Sequence, residues 1–68
     1  MYGSIGINLK MERFKKNMTQ QEVSKATGIS YSMLSKYERN VAKPKEDNLK
    51  MLAEFYGITV EELTEDNR

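Results

Sequence analysis

The apolar positions of this 68-residue chain fall into five short runs at helical spacing, divided by glycine, proline, asparagine and capping residues. The first spans residues 4–16: Ile5 and Leu9 lie one turn apart, Arg13 continues their line, and Ile7, Met11 and Phe14 mark a second apolar face nearly opposite. Ser4 is placed to cap this helix and Asn17 to break it, with Met18 folding back onto the core. The second run opens on Thr19, with Glu22 three residues on. This is a capping box, in which hydroxyl and carboxylate each take a backbone N–H left free at a helix start. It places Val23 and Thr27 inward and stops before Gly28, which tolerates the left-handed turn that ends a helix. The third run, capped by Ser30, covers residues 31–39 with Met33, Leu34 and Tyr37 on its inner arc. Pro44 enforces a loop over residues 41–45. The fourth begins near Lys45 or Glu46, carries Leu49, Leu52, Ala53 and Tyr56 as a core stripe, and ends at Gly57; Glu46 and Asp47 complement its dipole. A second capping box, Thr59 with Glu62, opens a short fifth helix carrying Val60 and Leu63. The expectation is one all-α domain over residues 1–64 with a short acidic tail at 65–68.

The stretch from Thr19 to Asn40, TQQEVSKATGISYSMLSKYERN, carries the most information. Two caps and one glycine between Thr19 and Ser30 leave a connection of about three or four residues, the length of a helix-turn-helix corner. At about 100° per residue, Tyr31, Ser32, Ser35, Lys36 and Arg39 share the outer arc of the third helix. That arc holds an aromatic hydroxyl, two serines and two cations, and no carboxylate. Serine is an indifferent helix former, so two exposed serines bring a cost and no structural benefit. A helix face that hydrogen-bonds outward is what DNA recognition needs.

Composition narrows the function classes. The chain has no cysteine and no histidine, which removes disulfides, thiolate chemistry, the commonest metal ligands and the usual acid–base catalyst at neutral pH. No enzyme, metal site or cofactor is expected. No apolar run approaches the ~18 residues of a membrane span and no signal peptide is visible, so a cytoplasmic protein is expected. The formal charge of +1 hides a division: residues 1–45 hold nine Lys/Arg against three Asp/Glu, and residues 46–68 hold two against seven. The basic part is the part with the corner, and it presents the field that phosphate would find attractive.

Thr-Gln-x-Glu, then Gly-Ile-Ser, then Leu-Ser-Lys-Tyr-Glu-Arg, followed by Lys43 and Pro44, resembles the lambda-repressor-like helix-turn-helix family, also called XRE-type, from about residue 5 to residue 63. The resemblance implies a compact five-helix DNA-binding domain whose second and third helices form the motif, with the third in the major groove. It implies base contacts from Tyr31, Ser32, Ser35 and Lys36. It implies phosphate contacts from Thr19, Gln20, Ser30, Arg39, Asn40 and Lys43. It also pairs Arg13 with Glu38 in a partly buried structural ion pair joining the first and third helices. The sequence departs from the family's pattern at Glu12, Phe14, Asn40 and Glu46. The function expected is a transcriptional regulator of repressor type, bacterial or phage-encoded and nucleoid-associated, acting on double-stranded DNA. One domain reads only a few bases, so a homodimer on a palindromic operator with half-sites ~34 Å apart is expected. No separate dimerisation domain is expected, so the dimer contact would come from Tyr56, Val60 and Leu63, or from the outer face of the first helix. The alternative is a protein-interaction module, such as an antitoxin or adaptor, whose main partner is a protein.

Overall fold

A computed structural model describes residues 5–65. The Ser4 cap and the tail beyond Glu65 lie outside the described residues. Five helices follow in order: α1 (Ile5–Lys15), α2 (Gln20–Thr27), α3 (Tyr31–Glu38), α4 (Glu46–Tyr56) and α5 (Val60–Thr64). They are the only regular elements among the described residues.

Local chemistry sets their ends. Both capping boxes form in full: Thr19 Oγ1 accepts from Glu22 N at 3.1 Å while Glu22 Oε1 accepts from Thr19 N at 2.8 Å, and Thr59 and Glu62 repeat the exchange at 3.0 and 2.9 Å. Gly28 and Gly57 close α2 and α4 at φ 81° and 73°, in the left-handed region open to glycine at little cost. Asn17 takes the same region at φ 56° after Lys16 N and Asn17 N bond back to Arg13 O and Phe14 O, so α1 ends one residue early in a tightened turn. α3 likewise stops at Glu38, with Arg39 as its C-cap.

α1 packs against α3 and α5, α2 against α3 and α4, and α4 against α5. Ile5, Leu9, Val23, Leu34, Leu52 and Leu63 fill the space between them, and Ile29 plugs the corner. Tyr37 is buried, and its hydroxyl accepts from Asn48 Nδ2 at 3.0 Å, which ties α3 to α4. Leu49 and Met18 complete the core from its edge.

Two contacts of α1 escaped the periodicity. Asn8 is buried, and its amide nitrogen donates to the Leu63 and Glu65 carbonyls at 2.8 and 2.7 Å, satisfying the end of α5. Gly6 lies under the end of α3, where Asn40 Oδ1 accepts from its N–H at 3.1 Å. A side chain there has no room: a Cβ would meet Glu38 O at 2.7 Å, Asn40 Oδ1 at 2.8 Å and Tyr37 O at 3.0 Å.

The surface expected for dimer contact needs correction. Tyr56 and Leu63 are 7% and 0% exposed, so the core uses them, and Val60 is half-buried against it. Of the apolar residues of that helix pair, Met51 is the one left exposed, at 40%. The outer stripe of α1 is open instead: Ile7, Met11 and Phe14 are 53%, 47% and 58% exposed, because α5 covers the neighbouring Asn8 side of α1 and leaves this one.

Gly6→Ala should lower stability by up to about 2 kcal/mol. The helix-propensity gain of ~1 kcal/mol is outweighed by an overpacking cost of ~1–3 kcal/mol, since two of the three atoms met are backbone carbonyls that cannot swing aside. A urea titration checks this; a midpoint at or above that of the parent protein would show that α1 can move off α3 freely.

Candidate nucleic-acid interface

The corner between α2 and α3 is fixed by its own side chains. Ser24 Oγ donates to Ile29 O at 2.6 Å, Thr27 Oγ1 donates to Val23 O at 2.8 Å and accepts from Ile29 N at 3.3 Å, and Gly28 N bonds to Ser24 O at 2.8 Å. Ser30 then caps α3, its Oγ accepting from Met33 N at 3.2 Å. Six residues from Ser24 to Ile29 thus turn the chain with little freedom, and the direction in which α3 leaves is set before any ligand arrives.

α3 presents one polar side. Tyr31, Ser32, Lys36 and Arg39 are exposed and Ser35 is half-buried. Arg39 Nε donates to Ser35 Oγ at 3.3 Å, so these two are linked on the surface. Beside the start of α3 lies an open hollow of about 290 Å³ lined by Arg13, Thr19, Gln20, Gln21 and Tyr31. Gln20 and Gln21, the first residues of α2, border it, and a helix start carries partial positive charge. Lys43 is exposed on the loop that follows.

Beneath this surface sits the ion pair. Arg13 Nε donates to Glu38 Oε2 at 2.8 Å and Arg13 Nη2 to Glu38 Oε1 at 2.9 Å, a two-pronged contact between side chains 12% and 4% exposed. Arg13 Nη1 also donates to Met18 O at 2.9 Å, which fastens the segment leading into α2. The hydrogen bond to Glu38 raises the guanidinium pKa above its ordinary value, against the opposing effect of burial, so Arg13 stays charged. Burial, with the Glu38 charge adding to it, pushes the nearby Tyr56 phenol up to about 12, so it remains neutral beside the pair.

The structure brings Tyr31, Ser32, Ser35 and Lys36 onto one helix side, with Thr19 and Gln20 next to Tyr31 around the hollow. It gives three of the other sequence-selected residues internal partners. Gln20 Nε2 donates to Glu38 Oε1 at 3.0 Å, Asn40 Oδ1 is turned to Gly6, and Arg39 reaches back to Ser35. Gln21 was not singled out in the sequence, and its place on the first turn of α2 is the signal that could have found it. Among the described residues, no group of three His, Cys, Asp or Glu side chains could hold a metal ion, and no helix is long and apolar enough to cross a membrane.

A family model described as helix-turn-helix matches residues 9–63. The chain is 31% identical over 67 residues to the cryptic phage CTXphi transcriptional repressor RstR of Vibrio cholerae, an overlap that takes in 98% of this chain and 58% of the relative. It is 31% identical over 55 residues to the HTH-type transcriptional activator BcrR of Enterococcus faecalis, covering 81% of this chain and 27% of that protein. The chain therefore spans little more than half the length of one of these relatives and about a quarter of the other. No solved structure matches it.

Arg13→Met should destabilise the fold by about 3–5 kcal/mol, since it strands the Glu38 charge away from water, Glu38→Leu should cost less because Arg13 borders the open hollow, and the double variant should be less than additive. Urea titrations with trimethylamine N-oxide present, so that the single variants stay folded, measure the cycle. Additive effects would show that the two charges do not depend on each other.

Proposed function

Since the chain belongs to the helix-turn-helix family, we propose that it is a sequence-specific regulator of transcription that binds double-stranded DNA with α3 in the major groove. The observation that carries this reading is the outer side of α3, where Tyr31, Ser32, Ser35 and Lys36 stand together with no carboxylate, on a corner held rigid by its own hydrogen bonds. Lys36 can donate to guanine O6 and N7, and the serines can donate or accept. Phosphate contacts fall to Thr19, Gln20, Ser30, Arg39, Asn40 and Lys43, through side chains or through the N–H groups that begin α2 and α3. The charge division supports the orientation: residues 46–68 carry seven of the ten acidic residues and would be repelled by DNA, so α4 and α5 face away. A repressor is favoured over an activator because the repressor relative aligns over nearly the whole chain. The site of action is then the nucleoid of a bacterial or phage-infected cell.

The working unit is a homodimer on a palindromic operator. The domain measures 29 Å in its longest dimension, short of the ~34 Å between successive major-groove faces, so one copy reads one half-site. The stripe of Ile7, Met11 and Phe14 supports a contact with a second copy. A two-fold pairing through this stripe would set the same residues of both copies against one another.

Lys36→Ala should change base preference in a binding-site selection, whereas Lys43→Ala should weaken all sequences alike and flatten the log–log salt slope by about 0.9. A Lys36→Ala protein with unaltered affinity and preference would remove α3 from the reading role. Met11→Glu should reduce the two-copy complex on DNA to one copy in sedimentation velocity at micromolar concentration. Survival of the two-copy complex would place the contact elsewhere, and a parent protein that binds only as one copy would exclude the dimer.

A further inference from the structure

The buried carboxylate of Glu38 has three donors around it, and the third comes from the surface. Oε2 accepts from Arg13 Nε at 2.8 Å, while Oε1 accepts from Arg13 Nη2 at 2.9 Å and from Gln20 Nε2 at 3.0 Å. Arg13 and Gln20 both line the open hollow at the start of α2. We infer that Glu38 is a positioning residue of the DNA site: it holds the Gln20 amide with one N–H inward and leaves the other N–H to a backbone phosphate. This rests on the DNA-binding reading above and adds a role to an ion pair otherwise assigned to the scaffold alone.

Three physical points carry it. The amide orientation is fixed by chemistry, since turning the Gln20 oxygen toward Glu38 would set two acceptors against each other with no hydrogen between them. The NH2 group has two hydrogens, so the hold on Glu38 consumes one and keeps one donor for an acceptor outside. A glutamine already held in one rotamer loses little further freedom when it meets the phosphate, which a free surface glutamine would lose on binding. The arrangement also explains why the arginine belongs to it. A lone carboxylate behind a phosphate site would repel DNA, and the two-pronged contact with Arg13 cancels that charge. Arg13, Glu38 and Gln20 thus link the junction of α1 and α3 to the start of α2, and damage to the pair would reach DNA through Gln20.

The test measures the effect of Gln20→Met in two backgrounds, so that the charge change at position 38 cancels. In the parent protein, Gln20→Met should weaken binding to a selected duplex and to an unrelated duplex by about tenfold each, with the salt slope unchanged because no cation is lost. In a Glu38→Gln background that is folded by circular dichroism, the same substitution should cost less than twofold. An equal loss in both backgrounds overturns the proposal. The nuclear magnetic resonance signals of the Gln20 side-chain amide provide a second readout that needs neither Glu38→Gln nor DNA. One of its two hydrogens should lie downfield and exchange slowly with water in the free parent protein; two ordinary, fast-exchanging hydrogens overturn the proposal as well. Failure of the parent protein to bind any duplex would instead overturn the DNA-binding reading, and the amide signals would still report on the hold.

Discussion

The contact between Arg13 and Glu38 lies where α1, α3 and the start of α2 meet, and most of what faces outward depends on it. Its carboxylate is almost fully enclosed, and its guanidinium also fastens the Met18 carbonyl at the entry to α2. Removing two charges from water is costly, and a well-packed apolar pair can be as stable, so energy alone is a weak reason for the pair to exist. Geometry is a better one. The flat two-pronged contact fixes distance and angle together, whereas an apolar pair would fix only distance. With α3 placed against α1 in this way, and with Gly6 allowing the end of α3 to press onto the first turn of α1, the outer side of α3 has one direction available.

Much of this was legible in the sequence wherever the cause is local. The capping boxes at Thr19 and Thr59, the glycine ends at Gly28 and Gly57, and the Ser30 cap each act within four residues, and the helix bounds follow from them. The arc of Tyr31, Ser32, Ser35 and Lys36 is likewise a matter of helical period. Contacts across long stretches of chain were not legible. Gly6 meets Asn40 34 residues away and Asn8 meets Leu63 55 residues away, and neither residue type announces such a partner. Tyr56 and Leu63 were expected to serve a dimer contact, although Tyr56 also belongs to the core stripe of α4; in a domain this small the core uses both. Gln20 had a role by resemblance, but its tie to Glu38 depends on how the two motif helices cross, which periodicity does not specify.

The rest of the molecule separates by charge and polarity in a way that suits a regulator. The hydrogen-bonding side gathers α3, the start of α2 and the loop with Lys43, while seven of the ten acidic residues lie within residues 46–68. A third surface, the apolar stripe of α1, belongs to neither, and the core already has Ile5 and Leu9 from the same helix. One short helix thus serves the core through one side and leaves another exposed, with the ion pair on the flank between them.

The most direct measurement of the central claim is the pattern of backbone amide shifts when ¹⁵N-labelled protein is titrated with duplex DNA at low salt. A domain organised as described should show its largest shifts at residues 19–21, 30–36 and 43, with the side-chain Nε–H of Arg13 also moving and residues 46–65 nearly silent. Shifts concentrated on α4 and α5, or none at all at millimolar duplex, would contradict it.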